Sequence, residues 1–243
     1  MSANIPVALV TGGSAGIGAS ICQHLLDDGY QVLNLSRRKS ESQSDRITDV
    51  EVDLADVEAT KSAIAELAKR YEITSLVHNA GVIRPDLIEN VKLEDVEYVT
   101  RLHLYTSILL TQGVLDAMKA KKFGRIVLIS SRAMLGLETR TGYAATKAGQ
   151  LGLVRTWAME LGQHGITVNA IAPGPIVTDM FTEVVPEDSD KAQQIAQSVP
   201  VRRLGKPDDV SRAVMFLLSP DNGFVTGQCI FVCGGASLGS LAL

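Results

Sequence analysis

The start of the chain restricts its fold more than any other segment. A short apolar run, Val7–Thr11, ends in the turn Thr11-Gly12-Gly13-Ser14-Ala15-Gly16-Ile17-Gly18, and Ile21, Leu25 and Leu26 follow at helical spacing. Strand, glycine-rich turn and helix in that order form a phosphate-binding unit. Glycines let the backbone approach a pyrophosphate, and the helix N-terminus presents free N–H groups at the positive end of its dipole. The spacing, Gly12-x3-Gly16-x-Gly18, departs from the better-known G-x-G-x-x-G. Taken alone, it also suits a tight strand–helix turn that merely needs small residues. Its position after the first strand and at the opening of a helix is the context a nucleotide site requires.

The same alternation runs to the end. Gly29 closes the first helix and Gln31–Leu35 reads as a second strand. Residues 37–49 read as a polar loop, and Val50, Val52 and Asp53 mark a third strand. A helix over Val57–Tyr71 precedes a strand at Ser75–His78, which breaks at Asn79-Ala80-Gly81. One long helix is expected over Leu93–Lys121, then a strand at Arg125–Ser131, a loop at 132–141 and a helix over 142–162. Strand Ile166–Ile171 is closed by Pro173-Gly174-Pro175, and 176–200 is irregular apart from a short helix near 189–197. Helix Asp208–Leu218 and strand Gln228–Val232 complete the pattern. Short buried strands separated by helices imply βαβ units. The fold class is therefore α/β: a doubly wound, mostly parallel seven-stranded sheet in a single domain, residues 1–243.

Composition removes several function classes. A net charge of −4 leaves no basic footprint for nucleic acid or an anionic membrane, and 5% aromatics offers no stacking platform. Three cysteines, Cys22, Cys229 and Cys233, are an odd number in a chain long enough to need no staples. Cys229 and Cys233 alternate with Phe231 in a strand-like run, so they are expected on one face of a core strand. No Cys/His cluster has zinc spacing, so no metal is expected. The opening MSANIPVALV lacks a basic n-region, and no apolar run reaches transmembrane length. The expected location is cytoplasmic.

Tyr143 and Lys147 stand four residues apart on an expected helix and emerge on one face. An unperturbed tyrosine is a poor general base near neutrality, and an adjacent ammonium stabilises its phenolate and lowers the pKa. Such a pair can give or take a proton at a carbinol oxygen. Ser131 ends a strand, at the edge of the sheet where open α/β folds bind ligands, and its hydroxyl is placed to bond the same oxygen. Each feature alone is common on solvated helices and turns; their co-occurrence carries the argument.

Together these residues resemble the short-chain dehydrogenase/reductase family, with a similarity running from Val7 to Gly235. The motifs are TGGSAGIG at 11–18, Asp53-Leu54, HNAG at 78–81, GRIVLISS at 124–131 and YAATKAG at 143–149. VNAIAPGPIVTDM at 168–180, RLGKPDDV at 203–210 and VTGQCIFVCGG at 225–235 complete the set. The likeness is nearest to ketoreductases of the 3-oxoacyl-carrier-protein reductase kind. It implies a Rossmann-type fold and hydride transfer between a nicotinamide cofactor and a ketone or secondary alcohol. It implies that Gly12, Ser14, Ile17 and Gly18 lie around the pyrophosphate and ribose, and that Asp53 and Leu54 flank the adenine. Asn79, Ala80 and Gly81 would line the cofactor cleft, and Pro173, Gly174, Ile176 and Thr178 would cover the nicotinamide. Tyr143 would be the acid/base, Lys147 would lower its pKa and hold the nicotinamide ribose, and Ser131 would orient the substrate carbonyl.

Two departures from the family pattern stand out. Where the family usually has an asparagine that holds a proton-relaying water, this chain has Leu102-His103-Leu104. His103 either takes over the relay, since it can donate, accept and titrate near neutrality, or is simply a packed helix residue. Ser131 also lies one residue nearer Tyr143 than usual, while Ser130 has the usual count. Alignment from Gly124-Arg125-Ile126 favours Ser131, with one residue lost from the loop.

The cofactor is expected to be NADP(H). A site that prefers NAD(H) ends its second strand with an acidic residue, which binds the ribose hydroxyls and repels a 2′-phosphate. Here the strand ends at Ser36, followed by Arg37 and Arg38, with no acid before Glu41. Ser36 donates a hydrogen bond, and arginine presents a planar fork suited to phosphate oxygens. The plainer reading of the basic run is a solvated loop. Small residues Ala144, Ala145, Ala148, Gly149 and Gly152 on helix 142–162, with the family resemblance, imply a homotetramer. The substrate is expected to be a small ketone or alcohol, either free or linked to an acyl carrier. Specificity would lie in loops 82–92, 132–141 and 178–200 and in the tail from Ala236, with Arg84, Arg132 and Arg140 as candidate anchors for an anionic group. Competing readings are a non-catalytic dinucleotide-binding redox sensor and an NAD-dependent sugar epimerase.

Overall fold

The structure is a computed structural model that describes residues 5–238. It places seven strands in one sheet, ordered β3-β2-β1-β4-β5-β6-β7, with every neighbouring pair parallel. The strands are β1 (Val7–Thr11), β2 (Gln31–Ser36), β3 (Ile47–Glu51), β4 (Ser75–His78), β5 (Gly124–Ile129), β6 (Ile166–Pro173) and β7 (Cys229–Val232). The α-helices are α1 (Gly16–Asp27), α2 (Val57–Arg70), α3 (Leu93–Thr100), α4 (Thr106–Lys121), α5 (Thr141–Leu161), α6 (Asp179–Thr182), α7 (Asp190–Ser198) and α8 (Pro207–Leu218). No helix among the described residues is long and apolar enough to cross a membrane.

Strand periodicity explains the layering. Successive side chains point to opposite faces, so a strand covered on both sides must be apolar throughout. In β1, Ala8 and Val10 pack toward α1 and α8, while Leu9 packs toward α2, α4 and α5. β5 does the same, with Val127 and Ile129 on one face and Ile126 and Leu128 on the other. Ile21, Leu25, Val210 and Val214 cover the first face; Ile64, Leu110, Val114 and Val154 cover the second. Each fully buried aliphatic side chain of this kind contributes about 1.5–3 kcal/mol relative to exposure. The strand order reverses direction between β1 and β4, and the crevice beyond their carboxyl ends is where such sheets bind ligands.

Four local expectations are corrected. β3 lies at Ile47–Glu51, starting three residues and ending two residues before the Val50–Asp53 reading. It is an edge strand with half-exposed residues, so its Thr48 and Asp49 looked like loop. The long helix is interrupted by a π-helical turn at Arg101–Tyr105. The Thr106 hydroxyl reaches out to the Leu54 carbonyl at 2.7 Å as well as back to Arg101, and Ser107 bonds the His103 carbonyl. Side-chain bonding to the helix backbone favours such a widened turn. β5 stops at Ile129, leaving Ser130 and Ser131 beyond the ladder, and Cys233 falls just past the end of β7. Of the tail named above, residues 239–243 lie outside the described part.

Candidate active site

The glycine-rich turn is a cradle that side chains would fill. Gly12 has φ +67° and Gly16 has φ +53°, the left-handed region that favours glycine. A Cβ at Gly18 would stand 2.0 Å from the Gly12 carbonyl oxygen, and one at Gly13 would stand 2.6 Å from Asn34 Oδ1. The α1 N-terminus has no side-chain cap, and Ser14 and Ile17 are half-buried beside it. Backbone N–H groups at an uncapped helix end, opening from a turn with no side chains in the way, fit a pyrophosphate. A dinucleotide therefore fits the residues present.

The walls of this cradle are fixed by buried polar groups. The Thr11 hydroxyl accepts from the Asn79 and Ala80 amides at 3.0 and 2.9 Å and faces His78 Nδ1 at 2.9 Å. His78 Nε2 faces the Leu102 carbonyl at 3.1 Å. Since the carbonyl only accepts, Nε2 carries the proton and Thr11 donates to Nδ1. Asn79 Nδ2 donates to the Thr11 and Gly12 carbonyls. At the end of β2 Ser36 is buried, while Arg37 and Arg38 are exposed with no ion pair among the described residues. Asp53 is exposed and its carboxylate accepts from the Ala55 amide. Leu54 is 4% exposed. Its side chain belongs to the core.

At the other end, the Thr178 side chain lies against Gly16, 3.2 Å from where a Cβ would be, and accepts from the Phe181 amide. Gly174 packs so tightly on Cys233 that a Cβ would fall 2.7 Å from its Cα. Pro173 and Ile176 are buried, with Ile176 in the core against Gly205, so only their backbone borders the cleft.

Ser131, Tyr143 and Lys147 meet at the carboxyl end of β5. The Ser131 hydroxyl lies near enough to the Tyr143 phenol to favour its ionised form, and its oxygen accepts from the Ala133 amide at 3.1 Å. Ser130 points the other way: it is buried and donates to the Lys147 carbonyl at 2.8 Å. Tyr143 is half-buried at the cleft, and Lys147 is 2% exposed beneath it. The Lys147 ammonium donates to the Ile129 carbonyl at 2.6 Å and sits 5.7 Å from the centre of the Tyr143 ring. Burial pulls the Lys147 pKa down to about 7. It pushes the Tyr143 phenol up, against the opposing Ser131 hydroxyl and Arg140 charge. Lys147 is not among the groups acting on the phenol in this arrangement, in which its ammonium is turned toward Ile129.

His103 is fully buried on the π-helical turn, edge-on to Tyr143 with ring centres 5.5 Å apart. Its Nδ1 faces the Thr146 hydroxyl at 2.8 Å, and its Nε2 accepts from the Val82 amide at 3.3 Å. Burial and the nearby Lys147 charge hold it well below the usual histidine range. His78 is pushed down to about 3 by the same two causes, burial first. His103 is therefore a fixed neutral imidazole, which corrects the expectation that it titrates near neutrality. Thr11, His78, Thr146 and Gln150, which also donates to the His103 carbonyl, escaped the sequence reading. None was singled out, although Thr11, His78 and Thr146 lie within the TGGSAGIG, HNAG and YAATKAG motifs and Gln150 follows the last of them.

A cleft of about 200 Å³ opens beside Tyr143, lined by Arg84, Val91, Lys92, Val96 and Val99. Of the candidate anchors, Arg84 pairs with Asp95 at 3.5 Å and lies over the Tyr98 ring. Arg132 donates to the Ala236 carbonyl. Arg140 has no carboxylate partner among the described residues and its charge reaches Tyr143. Loops 132–141 and 178–200 expose Leu135, Leu137, Met180 and Val184, while Val185 is buried.

This geometry has close counterparts. Residues 12–237 match a family model described as Enoyl-(Acyl carrier protein) reductase. The chain is 40% identical to acetoacetyl-CoA reductase of Rhizobium meliloti, over 94% of this chain and 97% of the relative. It is 35% identical to 3-oxoacyl-[acyl-carrier-protein] reductase of Thermotoga maritima, over 94% and 96% respectively. The solved structure of ElxO with NADP bound superposes with a TM-score of 0.89 at 28% identity, over 96% of this chain and 99% of that one. Sheet order, glycine-rich turn and these likenesses agree, and the chain belongs to the short-chain dehydrogenase/reductase family of oxidoreductases.

Proposed function

We propose that the protein is an NADP(H)-dependent ketoreductase, with Tyr143 as acid/base, Lys147 as its electrostatic support and Ser131 as the residue that orients the carbonyl. The observation that carries this reading is the convergence of Ser131 and Tyr143 at the cleft, the hydroxyl of one acting on the phenol of the other, with Lys147 buried one helical turn along α5. NADP(H), when bound, supplies or takes the hydride at the carbonyl carbon. Ser131 donates to the substrate oxygen, and Tyr143 gives it a proton as charge builds there. The ammonium of Lys147 then stabilises the phenolate left behind. His103 and Thr146 hold the start of α5, so the phenol stays aimed at the cleft.

The preference for a phosphorylated dinucleotide rests on Ser36, Arg37 and Arg38. Both arginines stand free at the end of β2, without a carboxylate to occupy them among the described residues. The relatives' names suggest 3-oxo thioesters as the substrate class, carried on coenzyme A or an acyl carrier. The free thiols of all three cysteines suit a reducing cytoplasm. Ala145 and Ala148 are exposed on α5, and a Cβ at Gly152 would meet open space. This flat stripe supports close helix–helix packing in a homotetramer, for which light scattering should give four times 26.0 kDa.

NADPH consumption against a panel of ketones and 3-oxo thioesters tests the assignment. Turnover with kcat/KM higher for NADPH than for NADH is expected. A binder without turnover, or epimerisation of a nucleotide sugar without net oxidation, would contradict it.

A further inference from the structure

Two side chains that the reaction does not use connect the phosphate-binding turn to the basic segment. Asn34 on β2 and Asp49 on β3 are register partners. Asn34 is fully buried; its Oδ1 accepts from the Gly13 amide at 2.8 Å and from the Ser36 hydroxyl at 3.0 Å. Its Nδ2 donates to Asp49 Oδ1 at 2.6 Å. The same carboxylate accepts from the Ser40 amide at 3.1 Å and, through Oδ2, from the Ser40 hydroxyl at 2.9 Å. The segment 37–39 is thereby pinned at both ends, at Ser36 through Asn34 and at Ser40 through Asp49. Gly13 is part of the device. A Cβ there would stand 2.6 Å from Asn34 Oδ1 and 2.5 Å from Cys22 Sγ.

The choice of partners is informative. Asp49 lies beside three consecutive cations yet forms no ion pair among the described residues; Lys39 instead reaches Glu51 at 3.8 Å. The Ser40 amide and hydroxyl and the Asn34 side-chain amide donate to it, so the carboxylate anchors the segment without consuming its charge. Arg37 and Arg38 stay exposed. We infer that Asn34 and Asp49 are positioning residues that preset the basic segment against the glycine-rich turn, and so confer preference for a dinucleotide with an added phosphate on its adenosine ribose. This rests on the reading of NADP(H) as cofactor. A preset segment binds without first being ordered, and affinity falls by the fraction of time a free segment spends in the competent arrangement.

Binary dissociation constants for NADPH and NADH, with melting temperatures, test this on wild type, Asp49→Ala and Ser40→Ala. Asp49→Ala should weaken NADPH about tenfold, as a segment competent about a tenth of the time would. NADH affinity should move by less than about twofold, since it makes no use of the segment. Ser40→Ala keeps the Asn34–Asp49 pair and should shift the same ratio by less; it carries the test if Asp49→Ala does not fold. Equal weakening of both cofactors would reduce Asp49 to a strand-pairing role and overturn the proposal. So would an unchanged ratio, or tighter NADPH binding from relief of repulsion. A wild type that binds NADH as tightly as NADPH would overturn the cofactor reading and this proposal with it, whereas a selective wild type with a selective Asp49→Ala overturns this proposal alone.

Discussion

The two ends of the cleft are built in opposite ways. Around Tyr143, nearly every polar group is buried and partnered: His78, His103, Thr146, Lys147 and Ser130 are 4% exposed or less. Across the mouth, loops 132–141 and 178–200 expose Leu135 at 60%, Val184 at 56% and Met180 at 40%. The buried end has one geometry, because a polar group moved there loses a bond it cannot replace. The mouth carries apolar surface that repacks around different ligands at small cost. Reaction type should therefore depend on the buried end, and substrate choice on the mouth.

The sharpest contrast within the buried end is between neighbouring serines. Ser131→Ala should lower kcat/KM roughly a hundredfold, the scale of losing one donor at a developing oxyanion. Ser130→Ala loses a bond to the Lys147 carbonyl and a weak one to the Met134 sulfur, and should cost about 1 kcal/mol of stability with activity largely kept. Kinetics of the two variants on one ketone check this, and the reverse ranking would reassign the carbonyl contact to Ser130.

Acid should loosen the buried end first. His78 falls from 6.5 to about 3 on folding, so between those values the unfolded chain binds more protons than the native one. His103 is shifted in the same direction. Stability from keeping them neutral is complete above pH 6.5 and drains away as pH falls toward 3. The melting temperature should drop between pH 7 and pH 5, and His103→Gln should flatten that drop. An equally steep drop in the variant would show that His103 contributes nothing to it.

The smallest effects belong to the mouth. Leu135→Ala and Met180→Ala should alter KM for bulky ketones by less than about tenfold, the range of a few lost methylene contacts, with kcat for a small ketone unchanged. A kcat loss on every ketone would break the division between the two ends.

What could be read from the sequence follows the same division. The β1–turn–α1 unit was legible because its glycines are demanded by local backbone geometry. Tyr143 and Lys147 were legible because helical spacing alone puts them together. The π-helical turn was not, since it depends on Thr106 reaching Leu54, 52 residues away in sequence. The Asn34–Asp49 link was hidden for a related reason: β3 is an edge strand whose polar residues resemble loop until the register places Asp49 opposite Asn34. Adjacent serines differ by the direction of one hydroxyl, which only the end of β5 at Ile129 decides.

The account stands most directly on the phenol of Tyr143. Tyr143→Phe keeps the ring against His103 and removes only the proton donor, so NADPH oxidation with a ketone should be compared with binary NADPH binding in the same variant. The expected result is a loss of more than about a hundredfold in kcat, within the usual value of positioned proton transfer, with NADPH affinity near that of the wild type. Retention of more than about a tenth of wild-type kcat, a loss under about 1.4 kcal/mol, would contradict the assignment of Tyr143 as the acid/base.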